Sequence, residues 1–397
     1  MDPETGVRQN PLHLFEGYGI ELEYMIVDKN SLDVMPICDK LMQAVSGTIT
    51  SEVCCGEISY SNELALHVVE LKTTGPMQTL AGLSDLFQEH VARINRKLLP
   101  FGAQLLPTAA HPWMNPHNEM RLWEHEYNPI YESYHRIFNC RGHGWANLQS
   151  THINLPFSGD EEFSKLHSAI RLLLPIMPAL SASSPFLEGK ATKMKDSRLY
   201  VYQENQRRIP SITGKVIPES VHSFSGYQKI ILEPMYRDIS KHDPEGILQF
   251  EWLNSRGAIA RFDRSTIEIR VLDIQECPQA DLAIAEAITY ALEGLVKRGP
   301  LEFSLDALTT IFTECVHKAE EAEVSNSAYL QLFGAKGKMT AGALWRHILQ
   351  KMPPNPWLDV IVTHGSLATR MLRQNSSLKV LYRQLMECLA YGKMFTG

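Results

Sequence analysis

Gly19-Ile20-Glu21-Leu22-Glu23-Tyr24 alternates apolar and acidic residues. In an extended chain, successive side chains point to opposite faces. Ile20, Leu22 and Tyr24 therefore share one face, and Glu21 and Glu23 the other. The alternation predicts a strand over Gly17 to Val27. Two carboxylates on one face repel each other unless they meet solvent or a cation.

Three more stretches read the same way. His67-Val68-Val69-Glu70-Leu71-Lys72 is apolar around a lone Glu70, with Glu63 seven residues earlier in a more polar segment. Leu148 to Leu155 carries Gln149, Ser150, His152 and Asn154 in an otherwise apolar run. Within Arg264 to Asp273, Ile267, Ile269 and Val271 take one face, and Glu268 and Arg270 the other. If these four strands share one sheet, it buries the apolar faces and gathers Glu21, Glu23, Glu70, His152, Glu268 and Arg270 opposite. Carboxylates in that number, counting Glu63, with one imidazole, suit magnesium or manganese.

Outward from the strands, the pattern turns helical. Thr79 to Leu99 places Leu80, Leu83, Phe87, Ile94 and Leu98 at helical spacing. Asp160 to Leu180 reads as a buried helix with Ser158 as N-cap, ended or kinked by Pro175 and Pro178. Ala280 to Lys297 is an amphipathic helix that exits at Gly299-Pro300. Beyond Pro300, four helices are predicted: Leu305 to Val324, Ala341 to Met352, Trp357 to Leu372 and Leu378 to Tyr391. Strands and helices that do not alternate strictly indicate an α+β fold with a largely antiparallel sheet. The expected division is a catalytic domain over 12–300 and a helical C-terminal subdomain over 301–397 packed on it.

Composition narrows the function classes. The chain has 397 residues, 44% apolar and 21% charged, with a formal net charge of −7. That balance disfavours a general nucleic-acid partner. Seven scattered cysteines without a CxxC pair argue against a disulfide framework or structural zinc, and fit a reducing cytoplasm. The polar start lacks a signal-peptide pattern, and no apolar run is long enough for a membrane span. No GxxxxGK[ST] loop is present. His111, His117 and His125 fall in a Pro-, Asn- and Trp-rich stretch expected to be a surface loop or lid. Lys318, Glu320, Glu321 and Glu323 are expected to form a solvated helix face.

Taken in order, several segments resemble the glutamate–cysteine ligase type 2 family, of glutamine-synthetase-like fold. They are Gly19-Ile20-Glu21-Leu22-Glu23, Val69-Glu70-Leu71-Lys72-Thr73, the His152 strand, Ser181-Ala182-Ser183-Ser184-Pro185-Phe186 and Thr266 to Asp273. The family commonly carries an asparagine where this chain reads Ala182-Ser183-Ser184-Pro185. The tail beyond Pro300 carries no match.

The resemblance implies an ATP-dependent carboxylate–amine ligase acting through an acyl phosphate. Glutamate and an amino-acid amine such as cysteine are the default substrates. It implies Glu23, Glu63 and Glu70 as ligands of one magnesium (or manganese) ion, and Glu21, His152 and Glu268 as ligands of a second. Arg270 is implied beside the transferred phosphoryl group, and Arg198 near substrate or phosphate. Arg256, Arg261 and Arg264 precede Glu268 in the chain, so at least one of them is expected in the pocket. No residue is an obvious base for the amine; Glu63 or an acid near it is the candidate. A different acid or amine, a metal-dependent hydrolase and a binder without turnover remain alternatives, and homo-oligomerisation stays open.

Overall fold

The computed structural model describes residues 11–397. Its centre is one antiparallel sheet of eight strands. These are β1 (Gly19–Asp28), β2 (Glu52–Cys54), β3 (Ile58–Asn62), β4 (Val68–Thr73), β5 (Ala103–Leu106) and β6 (Ser150–Pro156). After a small hairpin of β7 (Phe186–Leu187) and β8 (Lys190–Ala191) come β9 (Ala258–Arg261) and β10 (Thr266–Asp273). The order is β2-β3-β4-β1-β6-β10-β9, with β5 also paired to β1. The four strands expected from alternation are therefore neighbours in one sheet: β4, β1, β6 and β10.

Their apolar faces build the core. Ile20, Leu22, Tyr24, Val69, Leu71, Ile153, Leu155, Ile267 and Ile269 are all fully buried. Against this face pack the helices Leu83–Leu98, Gly159–Leu173 and Pro278–Val296, the last touching both others. The first follows its spacing, burying Leu83, Phe87, Val91, Ile94 and Leu98. The helix Leu305–Lys318 packs on Leu174–Ile176 and Pro178–Ser181, and Leu378–Tyr391 packs on Leu83–Leu98 and β5. Leu308, Phe312, Trp345 and Ile361 of the tail join the same apolar cluster as the sheet.

Several sequence expectations need correction. Ser158 sits at the N-cap of Gly159–Leu173, but its side chain does not cap. Instead its N–H donates to Glu162 Oε2 at 2.8 Å. The helix stops at Leu173 and continues as short turns through Ser181, as the two prolines require. The helix expected to reach Val324 ends at Lys318, where buried Ala319 takes a φ of 46°. Trp357 to Leu372 is two helices, Pro356–His364 and Leu367–Leu372, broken at Gly365 with φ 92°.

Glu320 is not on a solvated face. It accepts hydrogen bonds from the Ser366 and Thr369 hydroxyls and pairs with Lys195 at 3.1 Å. The stretch from Pro107 is also largely interior. His111 is fully buried, with Nε2 donating to Leu32 O at 2.8 Å and Nδ1 accepting from Met114 N–H at 3.0 Å. His117 alone of the three histidines there is exposed. Among the described residues, no helix is long and apolar enough to cross a membrane.

Candidate active site

The polar face of the sheet floors a cleft of about 560 Å³. Register explains its composition. Glu21 stands opposite Lys72 on β4 and His152 on β6, and Glu23 stands opposite Glu70. Glu70 in turn faces Ser61 on β3. On β10, Glu268 pairs with Asn154.

The register then slips. Ile269 pairs with Ile153 and Leu272 with Thr151, so Arg270 and Val271 together oppose His152. This is a β-bulge, and it re-aims the remainder of β10. Strict alternation would put Asp273 on the apolar face with Ile267 and Ile269. The extra residue instead pairs Asp273 with Ser150, on the side of His152 and Asn154. Gly257 accommodates the bulge. Its carbonyl accepts the Arg270 N–H at 3.0 Å, and a Cβ on Gly257 would lie 2.5 Å from Val271 Cγ1.

His152 sits at the centre of the hydrogen bonding. Its Nδ1 lies 2.7 Å from Glu21 Oε2 and its Nε2 2.9 Å from Ser150 Oγ. Ser150 gives its one hydroxyl hydrogen to Glu23 Oε2 at 3.0 Å, so Nε2 must donate to it. With no metal bound, this arrangement lets both ring nitrogens carry hydrogen; ligation of an ion would require the ring to lose one of them. Burial opposes the charge of the doubly protonated ring, but Glu21, Glu23 and Glu268 outweigh it and raise the His152 pKa to about 9. Burial likewise opposes the Glu21 carboxylate, and His152 overrides it to hold Glu21 at about 2.

Two ends of the cleft differ in charge balance. At one, Arg270 Nη2 donates to Glu268 Oε1 at 2.7 Å and Nε donates to the same oxygen at 3.1 Å. Burial would raise the Glu268 pKa, but Arg270 keeps it low. At the other, Glu23, Glu63 and Glu70 offer oxygens all within 4.8 Å of one another. Burial, then Glu23 and Glu70, push Glu63 well above the usual carboxylate range. Burial, then Glu21, raise Glu70 to about 7, despite Lys72 at 3.2 Å and the Ser61 hydroxyl at 2.6 Å.

Three close carboxylates with a charge surplus are the donor set of a hard divalent cation, so the residues fit magnesium or manganese. The second metal-capable group is Glu21, Glu70 and His152. This departs from the expected Glu21, His152 and Glu268. Glu268 Oε1 lies 3.6 Å from His152 Nδ1 but is held by Arg270.

The expected arginines separate. Arg261 and Arg264 line the cleft, Arg261 paired with Asp263 at 3.1 Å and Arg264 on the exposed rim. Arg198 also lines the cleft, from a buried position in its floor. Its Nε meets Asp273 Oδ1 at 2.5 Å, and both Nη atoms lie 3.4 Å from Arg270 O. Its guanidinium thus braces the bulge. Arg256 is not among the cleft's lining residues. It forks onto Glu219 at 2.6 and 2.8 Å and donates to Ser211 O, which accounts for its charge.

Sequence reasoning missed several groups. Ser61 and Lys72 were legible from their place in the same strand phase as the acids. Tyr202, 3.5 Å from Arg270 Nη1, and the wall of Tyr131, Tyr134, Trp145 and Trp252 were not, because they come from helices and turns packed over the sheet. The Ser183-Ser184 departure has a defined role. Ser183 N–H and Ser184 Oγ both donate to Asp273 Oδ2 at 2.8 Å.

Comparison with known proteins bears on the family and the fold. The profile of glutamate-cysteine ligase family 2 matches residues 18–329. An uncharacterised protein of Archaeoglobus fulgidus is 33% identical over 347 residues, covering 84% of this chain and 93% of that protein. A Rubrobacter xylanophilus protein with a provisional glutamate–cysteine ligase 2-1 name is 25% identical, the match covering 65% of this chain and 61% of that one. This chain thus spans less than two thirds of that ligase-named relative. Among solved structures, glutamate–cysteine ligase of Francisella tularensis in complex with AMP superposes with a TM-score of 0.59 at 13% identity, over 97% of this chain and 90% of that one. A bifunctional glutathione synthetase of Pasteurella multocida gives 0.58 at 15% identity, over 96% and 52%. At such identities the likeness establishes the fold alone. The profile match, spanning most of the sequence, establishes more: the chain belongs to glutamate-cysteine ligase family 2.

Proposed function

We propose that this protein is an ATP-dependent carboxylate–amine ligase, with glutamate and an amino-acid amine as its default substrates. The observation that carries the reading is the charge asymmetry of one cleft: an arginine held beside Glu268 next to a carboxylate trio with surplus negative charge. In the reaction, the substrate carboxylate oxygen bonds the γ-phosphorus of ATP as the β–γ bridging bond breaks, releasing ADP. The amine then attacks the acyl carbon, a C–N bond forms, phosphate leaves and the nitrogen loses a proton.

The chain's own groups have defined work in this scheme. Arg270 meets the negative charge of the γ-phosphoryl group, its guanidinium oriented by Glu268 and Tyr202. Glu23, Glu63 and Glu70 would hold one divalent ion, and Glu21, Glu70 and His152 a second. Bound there, the ions supply charge neutralisation between phosphate and carboxylate. Glu63 is the candidate acceptor of the amine proton: burial, then Glu23 and Glu70, raise its proton affinity, and it serves as base only in its deprotonated form. The aromatic wall limits water access to the acyl phosphate.

The test is ADP release with ATP and magnesium over a grid of amino acids and amino-acid pairs. Dependence on an acid and an amine together, abolished by Glu268→Gln, is expected. ADP only with glutamate plus cysteine would fix those substrates, whereas another pair would keep the chemistry and change them. No ADP with any pair, or full turnover by Glu268→Gln, would sink the ligase reading.

A further inference from the structure

Behind the aromatic wall lies a second pocket, also about 560 Å³. Arg136, Arg141, Arg207 and Arg208 line it from two separate segments, with Glu204 the one acid in its lining; Arg136 also lines an adjoining pocket that holds Glu132, Asp243 and Glu245. Such a concentration of positive charge is unexpected in a chain of net charge −7. The arginines of the neighbouring site each meet a carboxylate: Arg198 meets Asp273, Arg261 meets Asp263, and Arg270 meets Glu268. Among the described residues the four in this pocket, all of them exposed, do not.

Arg208 Nη1 donates to Ile137 O at 2.9 Å and Arg136 Nη1 to His242 O at 3.0 Å. Those single bonds to carbonyls fix the two side chains and leave their charges unpaired. Among the described residues, the exposed side chains of Arg141 and Arg207 form no ion pair and no hydrogen bond. Planar guanidinium forks suit oxyanions of phosphate or carboxylate.

The partition between this pocket and the cleft is thin. Gly144, Trp145 and Asn205 line both. Asn205 packs so closely on Gly144 that a Cβ there would lie 1.7 Å from Asn205 Oδ1. Trp145 Nε1 donates to Asn205 O at 3.3 Å.

We propose that this pocket binds a small polyanion, a molecule bearing two or more phosphate or carboxylate groups, against the back of the cleft wall. Its concave form and volume match a small ligand rather than a nucleic-acid surface. The inference stands independently of what the cleft ligates.

The experiment is calorimetric titration of the whole protein stripped of divalent ions on a chelating resin, with no chelator in solution, so that neither divalent ions in the cleft nor a competing polycarboxylate disturbs the reading. Tripolyphosphate and citrate are the two probes. Binding of either with a Kd below about 1 mM at about 0.15 M salt is expected. Arg141→Ser/Arg207→Ser should weaken it at least about tenfold, or about 1.4 kcal/mol. A charge-matched control, Arg93→Ser/Arg96→Ser on the helix Leu83–Leu98, should not. Tripolyphosphate alone would mark a phosphorylated ligand, and citrate alone a polycarboxylate. Three results would overturn the proposal: no binding of either probe, equal weakening by the control pair, or loss on Arg264→Ser at the cleft rim instead. Unchanged melting of the pocket variant shows that it remains folded.

Discussion

The two ends of the cleft are made from one sheet face, yet they treat charge in opposite ways. At the β10 end every ion has a protein counter-ion: Arg270 with Glu268, and Arg198 with Asp273. At the β1–β4 end Glu23, Glu63 and Glu70 crowd together, with Lys72 shared between Glu70 and Glu52. Crowded like charges oppose folding, and burial adds to the cost. The first end is completed by the chain. The second keeps a surplus of carboxylates that proton uptake by Glu63 and Glu70, or a bound cation, would relieve, and that asymmetry marks it as the candidate site in the cleft.

The largest expected effect comes from breaking the unbalanced end. Glu63→Gln removes one of three mutually repelling groups. Without divalent metal its melting temperature should rise above that of the unmodified protein, while the rise on adding magnesium should shrink. ADP release should fall about a thousandfold, near 4 kcal/mol of barrier. Melts with and without magnesium check this directly. A lower melting temperature in chelator would mean that Glu63 is a structural partner and that the contrast is false.

The balanced end should respond in the opposite sense. Arg198→Met leaves Asp273 buried without its cation, although Ser183 and Ser184 still donate to it. Removing one partner of a buried pair costs about 3–5 kcal/mol. Urea unfolding of Arg198→Met, Asp273→Asn and the double variant measures it. The double variant should be less destabilised than the sum of the two singles. If each single costs no more than an exposed pair, below about 1 kcal/mol, the brace under Arg270 has no energetic content.

The same contrast decides how much was legible in the sequence. Alternation located Glu21, Glu23, Glu70, His152, Glu268 and Arg270 because a period of two has one reading once one face is apolar. The bulge at Arg270–Val271 has no local signature, so strict alternation puts Asp273 in the apolar phase and hides the partner of Arg198. Arg198 and Arg256 look alike as arginines in polar stretches. Only tertiary packing shows that one braces the cleft floor and the other is taken up by Glu219. Helix ends were misplaced where a single residue takes a positive φ, as at Ala319 and Gly365. Periodicity continues through such a break in the sequence, although the backbone does not.

The smallest effect sharpens the comparison away from the cleft. His167, on the helix Gly159–Leu173, is buried with neither ring nitrogen hydrogen-bonded, packed on Phe163 and Tyr227 at 5.2 and 6.0 Å between ring centres. It too is an unsatisfied polar group, but one that no ligand reaches. Burial, then the facing cations Arg171, His222 and Arg256, lower its pKa to about 3. Below pH 6.5 the unfolded chain takes up a proton that the folded chain refuses, so stability is lost as pH falls from 6.5 toward 3. His167→Phe keeps the ring packing and removes the proton. Between pH 7.5 and 5.5 the unmodified protein should therefore lose about 1.4 kcal/mol relative to the variant, and almost nothing above 6.5. Urea unfolding at several pH values, taken as a difference between the two proteins, cancels every other titrating group. Parallel curves would show that His167 titrates normally in the fold. A gap opening only below pH 6.5 would show a buried, unsatisfied polar group costing stability without serving a site. What distinguishes the acidic end of the cleft would then be convergence on a place where a cation can enter, since lack of a partner alone is shared by both.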